Sequence, residues 1–166
     1  MAIAIYQILQ IRERIKLEEL RHSDLKEIIK NQILDKSSSN EGELADLSSY
    51  VIRNFDFSNL DLSEIHACDS IFVNCQFTSC DLYRVDFSNS SLVGVNFEGS
   101  MLGKSEFYEA NLSIACFDNT DLNSAVFIKS NLRGATFRNA DINHTSFTEC
   151  DLTDAVFDDK HIDLKV

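Results

Sequence analysis

The side chains able to bind a metal or attack a substrate are five cysteines, four histidines and a large set of carboxylates. Cys68, Cys75, Cys80, Cys116 and Cys150 form no C-x-x-C pair, and His22, His66, His144 and His161 are spread along the chain. A zinc ribbon or a dithiol redox centre needs closely spaced ligand pairs. The cysteines therefore read as reduced structural thiols. No G-x-G-x-x-G, G-x-x-x-x-G-K-[ST], H-E-x-x-H or G-x-S-x-G motif occurs. Carboxylates do recur at an interval of interest: Asp61 and Asp81, and Asp121 and Asp141, are twenty residues apart. If that interval stacks them about 5 Å apart, they could hold a cation or perturb each other's titration. General acid chemistry would also need a cleft. The expectation is a non-enzyme with no catalytic residue, no metal and no cofactor.

Composition narrows the classes further. The chain has 166 residues, enough for one domain with a short extension. Fifteen basic against 27 acidic residues give a net charge of −12. Such a chain is repelled by bare nucleic acid and by anionic membranes. Apolar residues make up 44%, too many for a disordered chain. The start, MAIAIYQILQ, lacks a basic n-region and is interrupted by Gln7 and Gln10, and no apolar run is long enough to span a bilayer. A cytoplasmic protein is expected.

The elements that position these residues are set by a repeat. From Phe57 a large apolar residue recurs at every fifth position to Ile162, and only Ala67 among those 22 slots is not Phe, Leu or Ile. Eleven of the twelve Phe occupy this slot, so the register is not accidental. Its centre includes Leu82, Phe87, Leu92, Phe97, Leu102, Phe107, Leu112, Phe117, Leu122, Phe127, Leu132 and Phe137, the expected core. Two positions before each centre the residue is small from Ser70 to Ala155, and Cys75, Cys80 and Cys150 fall in this slot. The position just before a centre is often Asp or Asn. A period of five fits neither a helix nor a strand. It requires a backbone that turns every five residues and points both apolar slots inward. Four such segments close a twenty-residue coil, and coils stack about 4.8 Å apart through backbone hydrogen bonds. Short polar side chains before each centre can bond local backbone at the corners, and the absence of Pro leaves every amide free for the ladder.

Units such as ANLSI (110–114), ATFRN (135–139), ADINH (140–144) and CDLTD (150–154) resemble the pentapeptide-repeat family. The resemblance implies an all-β solenoid, a right-handed quadrilateral β-helix of about 5.5 coils. Phe55, Leu60 and Ile65 are too large for the small slot and Ala67 too small for a centre, so an irregular first coil is expected. Some members of the family are DNA mimics that bind type II topoisomerases, gyrase in particular. The charge here is compatible: residues 52–166 hold 18 acidic and 8 basic residues, a net −10.

The chain divides into a helical segment over 1–35, a linker over 36–50 and the repeat over 51–166. Ile5, Ile8, Ile11 and Ile15 have helical spacing, and Leu25, Ile28, Ile29, Ile33 and Leu34 form the apolar face of a second helix that starts after Ser23 or Asp24. These helices are expected to cap the first coil, with binding to another chain as the alternative. The working function is a protein-interaction scaffold with an unidentified protein partner; the alternative is a DNA mimic acting on a DNA-binding enzyme. Direct binding of nucleic acid or membrane is not expected. The assembly is a monomer, or a homodimer through a terminal coil. Candidate partner residues are Asp61, Asp81, Asp121 and Asp141 on one side, and Ile71, Val73, Val93 and Ile114 on another. Val126, Ile128 and Tyr108 should lie on a third.

Overall fold

The computed structural model describes residues 46–158 together with Glu18–Glu19. The helices expected over 1–35 lie outside the described residues, apart from Glu18–Glu19, and the slot of Ile162 lies outside them too. The described residues form eight short strands: β1 (Glu18–Glu19), β2 (Tyr50–Arg53), β3 (Ile71–Val73), β4 (Glu106–Tyr108), β5 (Val126–Ile128), β6 (Thr136–Phe137), β7 (Ser146–Thr148) and β8 (Val156–Phe157). They form three parallel sheets in the orders β1-β2-β3, β4-β5-β7 and β6-β8. From β2 onward every pairing has an offset of twenty: Ile52 faces Phe72, Phe107 faces Phe127, and Phe137 faces Phe157. Single bridges between the strands keep the same offset, from Asp46 with His66 to Asn131 with Asp151. The described residues are thus a β-helix-type solenoid with four five-residue units per coil.

Each unit turns the same way. In many units, most of them bridge units, the carbonyl of the centre accepts the amide three residues on, as from Ser90 to Phe87 at 3.2 Å and from Val95 to Leu92 at 3.1 Å. The residue two after each centre has positive φ in every described unit, from Ser49 at 63° to Asp154 at 61°. This is the signature of a type II-like turn. Between turns, amides bond to neighbouring coils on both sides: Leu62 donates to Asp81 at 2.7 Å, and Asp81 donates back to Leu60 at 3.0 Å.

The residue before the centre decides how a unit is drawn out. Where it is Asp or Asn, its Oδ1 accepts the amide two residues on and the unit stays a bridge followed by a turn; Asp81 to Tyr83 at 3.0 Å and Asp121 to Asn123 at 2.8 Å are examples. Where it is β-branched (Val51, Ile71, Val126, Thr136, Val156), the unit is a strand. Glu106 and Ser146 also lie in strands, and both pair with Val126.

Four columns of centres fill the interior. The first is Leu47, Ala67, Phe87, Phe107, Phe127 and Phe147; the second Ile52, Phe72, Leu92, Leu112 and Leu132; the third Phe57, Phe77, Phe97, Phe117 and Phe137; the fourth Leu62, Leu82, Leu102, Leu122 and Ile142. All are buried. Rings stack within a column, as Phe107 on Phe127 at 4.6 Å and Phe97 on Phe117 at 5.1 Å. Rings of the first and third columns then meet edge to face, as Phe117 and Phe127 at 5.7 Å.

The first coil corrects two expectations. It is regular, and the ladder already includes Asp46 and Leu47, which the sequence reading put in the 36–50 linker. Ala67 leaves a gap in a Phe column, and Phe72 fills it from a column that otherwise holds Leu or Ile. The Phe72 ring lies 5.5 Å from Phe77 and 5.7 Å from Phe87. Phe55, in the small slot, is buried with its ring 4.6 Å from Phe57. Ring bulk thus sits in different slots of the first two coils from those it fills further on.

Phe117, stacked on Phe97 and Phe137, is the site where this packing can be measured. Phe117→Ala is expected to cost about 3–5 kcal/mol. A denaturant titration showing less than 1 kcal/mol would contradict the packing described.

Candidate functional site

The four walls differ in what they show to solvent. The wall over the second column is set apart by what it lacks: residues 71–75, 91–95 and 111–115 contain no charged side chain. Each of the other walls carries charge over the same three coils, including Asp69, Asp86 and Glu106 over the first, Glu98 and Asp118 over the third, and Asp81 and Asp121 over the fourth. The neutral wall holds Ile71 and Val73, half-buried, then Val93 at 42% exposed and Ile114 at 65%. The structure thus places these four candidate residues on one wall. Val126, Ile128 and Tyr108 fall together over the first column, as the sequence spacing implied.

Ile114 occupies the positive-φ slot at 53°. Left-handed backbone costs an ordinary L-residue about 1–2 kcal/mol, and a β-branched side chain is among the least suited to it. The residues one coil either side are Gly94 and Gly134. A Cβ built on Gly134 would lie 3.2 Å from Ile114 Cγ2, and one on Gly94 3.7 Å from Ile114 Cδ1. The Gly134 contact is tight and the Gly94 contact ordinary, so it is Gly134 that leaves Ile114 its room. Below it, Arg133 is held by Asp151 and Asp154, each at 3.7 Å.

The wall over the fourth column brings Asp61, Asp81, Asp121 and Asp141 into one row, with Met101 between the pairs. Asp61 Oδ1 accepts the Ser63 hydroxyl at 2.6 Å, and Asp141 Oδ1 accepts the Asn143 amide at 3.0 Å. One oxygen of each of the four is committed to its own turn, which makes the row a structural feature as well as an acidic one. Met101 is 50% exposed, and Lys104 lies 5.6 Å from the Tyr83 ring centroid. Among the described residues, no group of three or more His, Cys, Asp or Glu is arranged to hold a metal ion.

The thiols and histidines fall where the repeat puts them. Cys75 and Cys80 are buried, and no cysteine among the described residues is disulfide-bonded. Burial pushes the Cys80 thiol up to about 11, and its Sγ lies 3.0 Å from the Phe57 carbonyl. His66 and His144 are exposed, and His161 lies outside the described residues. Asp118 is a well-held carboxylate of the third wall. Burial raises its pKa, but hydrogen bonds from Thr136 and Arg138 and the guanidinium charge outweigh burial and hold it below the ordinary carboxylate value. Arg138 reaches Asp118 Oδ2 at 3.2 Å.

Three features of the site were missed from sequence. The glycines flanking Ile114 are twenty residues away on either side, a signal visible only when the chain is written in coils. The Arg133 bridges likewise join positions 18 and 21 residues apart. The third is β1, whose pairing with β2 has an offset of 32 and no repeat signal.

Stacked coils of four five-residue units, with a filled apolar interior, define a repeat solenoid. The family description "Pentapeptide repeats (8 copies)" matches residues 45–89, and "Pentapeptide repeat region" matches residues 91–164. The chain belongs to the pentapeptide-repeat family. No curated protein matches it significantly. Among solved structures it is similar to trypsin-treated QnrB1, a plasmid-mediated fluoroquinolone resistance protein, at 21% identity over 70% of this chain and 67% of that one, with a TM-score of 0.28. It is also similar to a pentapeptide repeat protein from the Arabidopsis thaliana thylakoid lumen, at 22% identity over 75% and 80% of the two chains, with a TM-score of 0.28. A third is HetL from the cyanobacterium Nostoc, involved in heterocyst differentiation regulation, at 18% identity over 70% and 84%, with a TM-score of 0.21.

Two measurements follow from the local chemistry. Ile114→Asn relieves the backbone at a slot that Asn fills elsewhere, and is expected to raise stability by about 1 kcal/mol; a clear loss in a thermal melt would show that Ile114 is not strained. Because the Asp118 carboxyl is held low in the fold, its contribution is present above the unfolded value and lost as pH falls through the folded one. Asp118→Asn should therefore narrow the stability difference between pH 7 and pH 3, read from unfolding midpoints at the two pH values.

Proposed function

We propose that this chain is a non-enzymatic protein-interaction module whose docking surface is the neutral wall centred on Val93 and Ile114. The observation that carries the reading is the absence of charge from three successive coils of one wall on a chain of net charge −12, with exposed apolar side chains in its place. A desolvated apolar centre inside a charged surround is the pattern of interface hot spots. The partner is a protein that offers an apolar patch of its own.

A second reading has one observation behind it, the row of Asp61, Asp81, Asp121 and Asp141. A DNA mimic would use that row to occupy the DNA site of a topoisomerase or another DNA-binding protein. The row is broken by Met101, bordered by Arg84 and Lys104, and tied into its own turns, so the neutral wall is preferred. Parallel coils joined by crossovers are right-handed as a rule, so we also take the coil as right-handed and four-sided. Buried free thiols suit a reducing compartment, and we place the protein in the cytoplasm. No helix among the described residues is long and apolar enough to cross a membrane.

The two walls are separable by mutation. In capture experiments from the native host, Ile114→Asp and Val93→Asp are each expected to weaken retention of a specific partner at least about tenfold. Asp121→Asn with Asp141→Asn should leave it unchanged. The opposite pattern, with inhibition of gyrase supercoiling that fades as salt rises, would favour the acidic row.

A further inference from the structure

The neutral wall is a narrow apolar strip with acid along both sides. Over residues 65–79, 85–99 and 105–119 the wall before it carries Asp69, Asp86, Glu106 and Glu109, and the wall after it carries Glu98 and Asp118. These three stretches contain no Lys or Arg. Arg53 and Arg133 bound the strip at its two ends, in the same row as Val73 and Val93, and Arg133 is bridged to Asp151 and Asp154. We propose that the strip seats one basic amphipathic helix of a protein partner, which lies along the solenoid axis for about three turns with its apolar stripe on Val73, Val93 and Ile114. The inference rests on the reading of this wall as a docking surface and adds the chemistry of what docks there.

Three observations select this occupant. The first is period. Coils stack about 4.8 Å apart and a helical turn rises about 5.4 Å, so one apolar side chain per turn meets one coil, drifting by only about 1 Å between the coil of Val73 and that of Ile114. An extended segment returns to the same face every ~6.7 Å and drifts by about 4 Å over that distance. The second is charge. Asp118 is bonded to Arg138 at 3.2 Å, and Glu109 feels the charge of Lys129 from the next coil. Asp69, Glu98 and Glu106 are exposed and stand in no ion pair among the described residues. Lys and Arg side chains beside a docked apolar stripe reach these rows while their stems cover the edges of the wall. The third is area. A wall three coils long and one unit wide offers on the order of 200 Å2, far below the ~800 Å2 per partner of a standard interface. That suits one face of a single helix better than a broad globular surface.

Fluorescence anisotropy with the full-length chain and labelled alanine-based peptides of about 18 residues, long enough to be helical alone, tests this. The first probe carries Leu at helical spacing with Lys beside the stripe. The second has Glu in place of Lys, and the third has the composition of the first with Leu at alternate positions. The first should bind at least about tenfold tighter than either of the others. Ile114→Asn should weaken it about tenfold. The fold accepts this change, since Asn54 and Asn74 hold the same slot of the row with φ of 52° and 53°. Glu98→Gln with Glu109→Gln should weaken it about threefold and flatten its salt dependence, while Asp121→Asn with Asp141→Asn should leave it unchanged. Equal binding of the first probe and either of the others, indifference to Ile114→Asn, or equal weakening by the two pairs of carboxylate variants overturns the proposal. So does sedimentation of the chain alone as a dimer that Ile114→Asn dissolves, which gives the wall to a second copy. Capture of a host protein that depends on Ile114 while the probes fail sinks the helix and keeps the docking surface, so the two failures are distinguishable.

Discussion

A backbone ladder that joins each residue to the one twenty places on imposes the rest of this molecule. It works only if the chain turns through a fixed angle every five residues, and the turn works only if the residue two after each centre accepts a left-handed conformation. Glycine takes that slot at Gly94, Gly99 and Gly134, while the remaining described units accept the conformation in non-glycine residues. The strain is small at each corner and repeated at all of them. It is offset by buried rings that stack from coil to coil and by amides that bond to the coil on either side. The register is therefore cooperative: a unit cannot slip by one residue without turning its ring outward.

That constraint explains why the interior tolerates irregular residues. Ala67 and Phe72 exchange volume between columns of one coil, and Phe55 packs sideways against Phe57. The small slot also carries hydrogen bonds across coils. Ser70 and Ser90 donate from Oγ to the carbonyls of Leu47 and Ala67 at 2.6 and 2.7 Å, and Ser100 and Ser130 do the same to Phe77 and Phe107. Cys80 replaces the hydroxyl with a thiol on the Phe57 carbonyl. These buried polar groups are satisfied and add a second set of links between coils.

Function falls to whatever the outward slots are free to vary. Asp and Asn before a centre are partly used up by the turn, so an acidic row arises on this scaffold for structural reasons. An exposed isoleucine in a left-handed slot has no such reason. It spends stability without burying itself, and that departure is what the proposed docking role draws on. The neutral wall and the left-handed Ile114 fall in one region of the molecule, and the same role rests on that coincidence.

The period of five, the inward Phe and Leu and the small slot were legible in the chain because each is a local rule repeated many times over. The grouping of Ile71, Val73, Val93 and Ile114 was legible too, since a twenty-residue coil turns sequence distance into position. What sequence left undetermined depended on single events. The exchange between Ala67 and Phe72, the room that Gly134 leaves for Ile114 and the pairing of β1 with β2 each occur once, so no periodicity announces them. Only packed coils decide them, because each is settled by volumes and backbone groups that meet across coils and lie far apart along the chain.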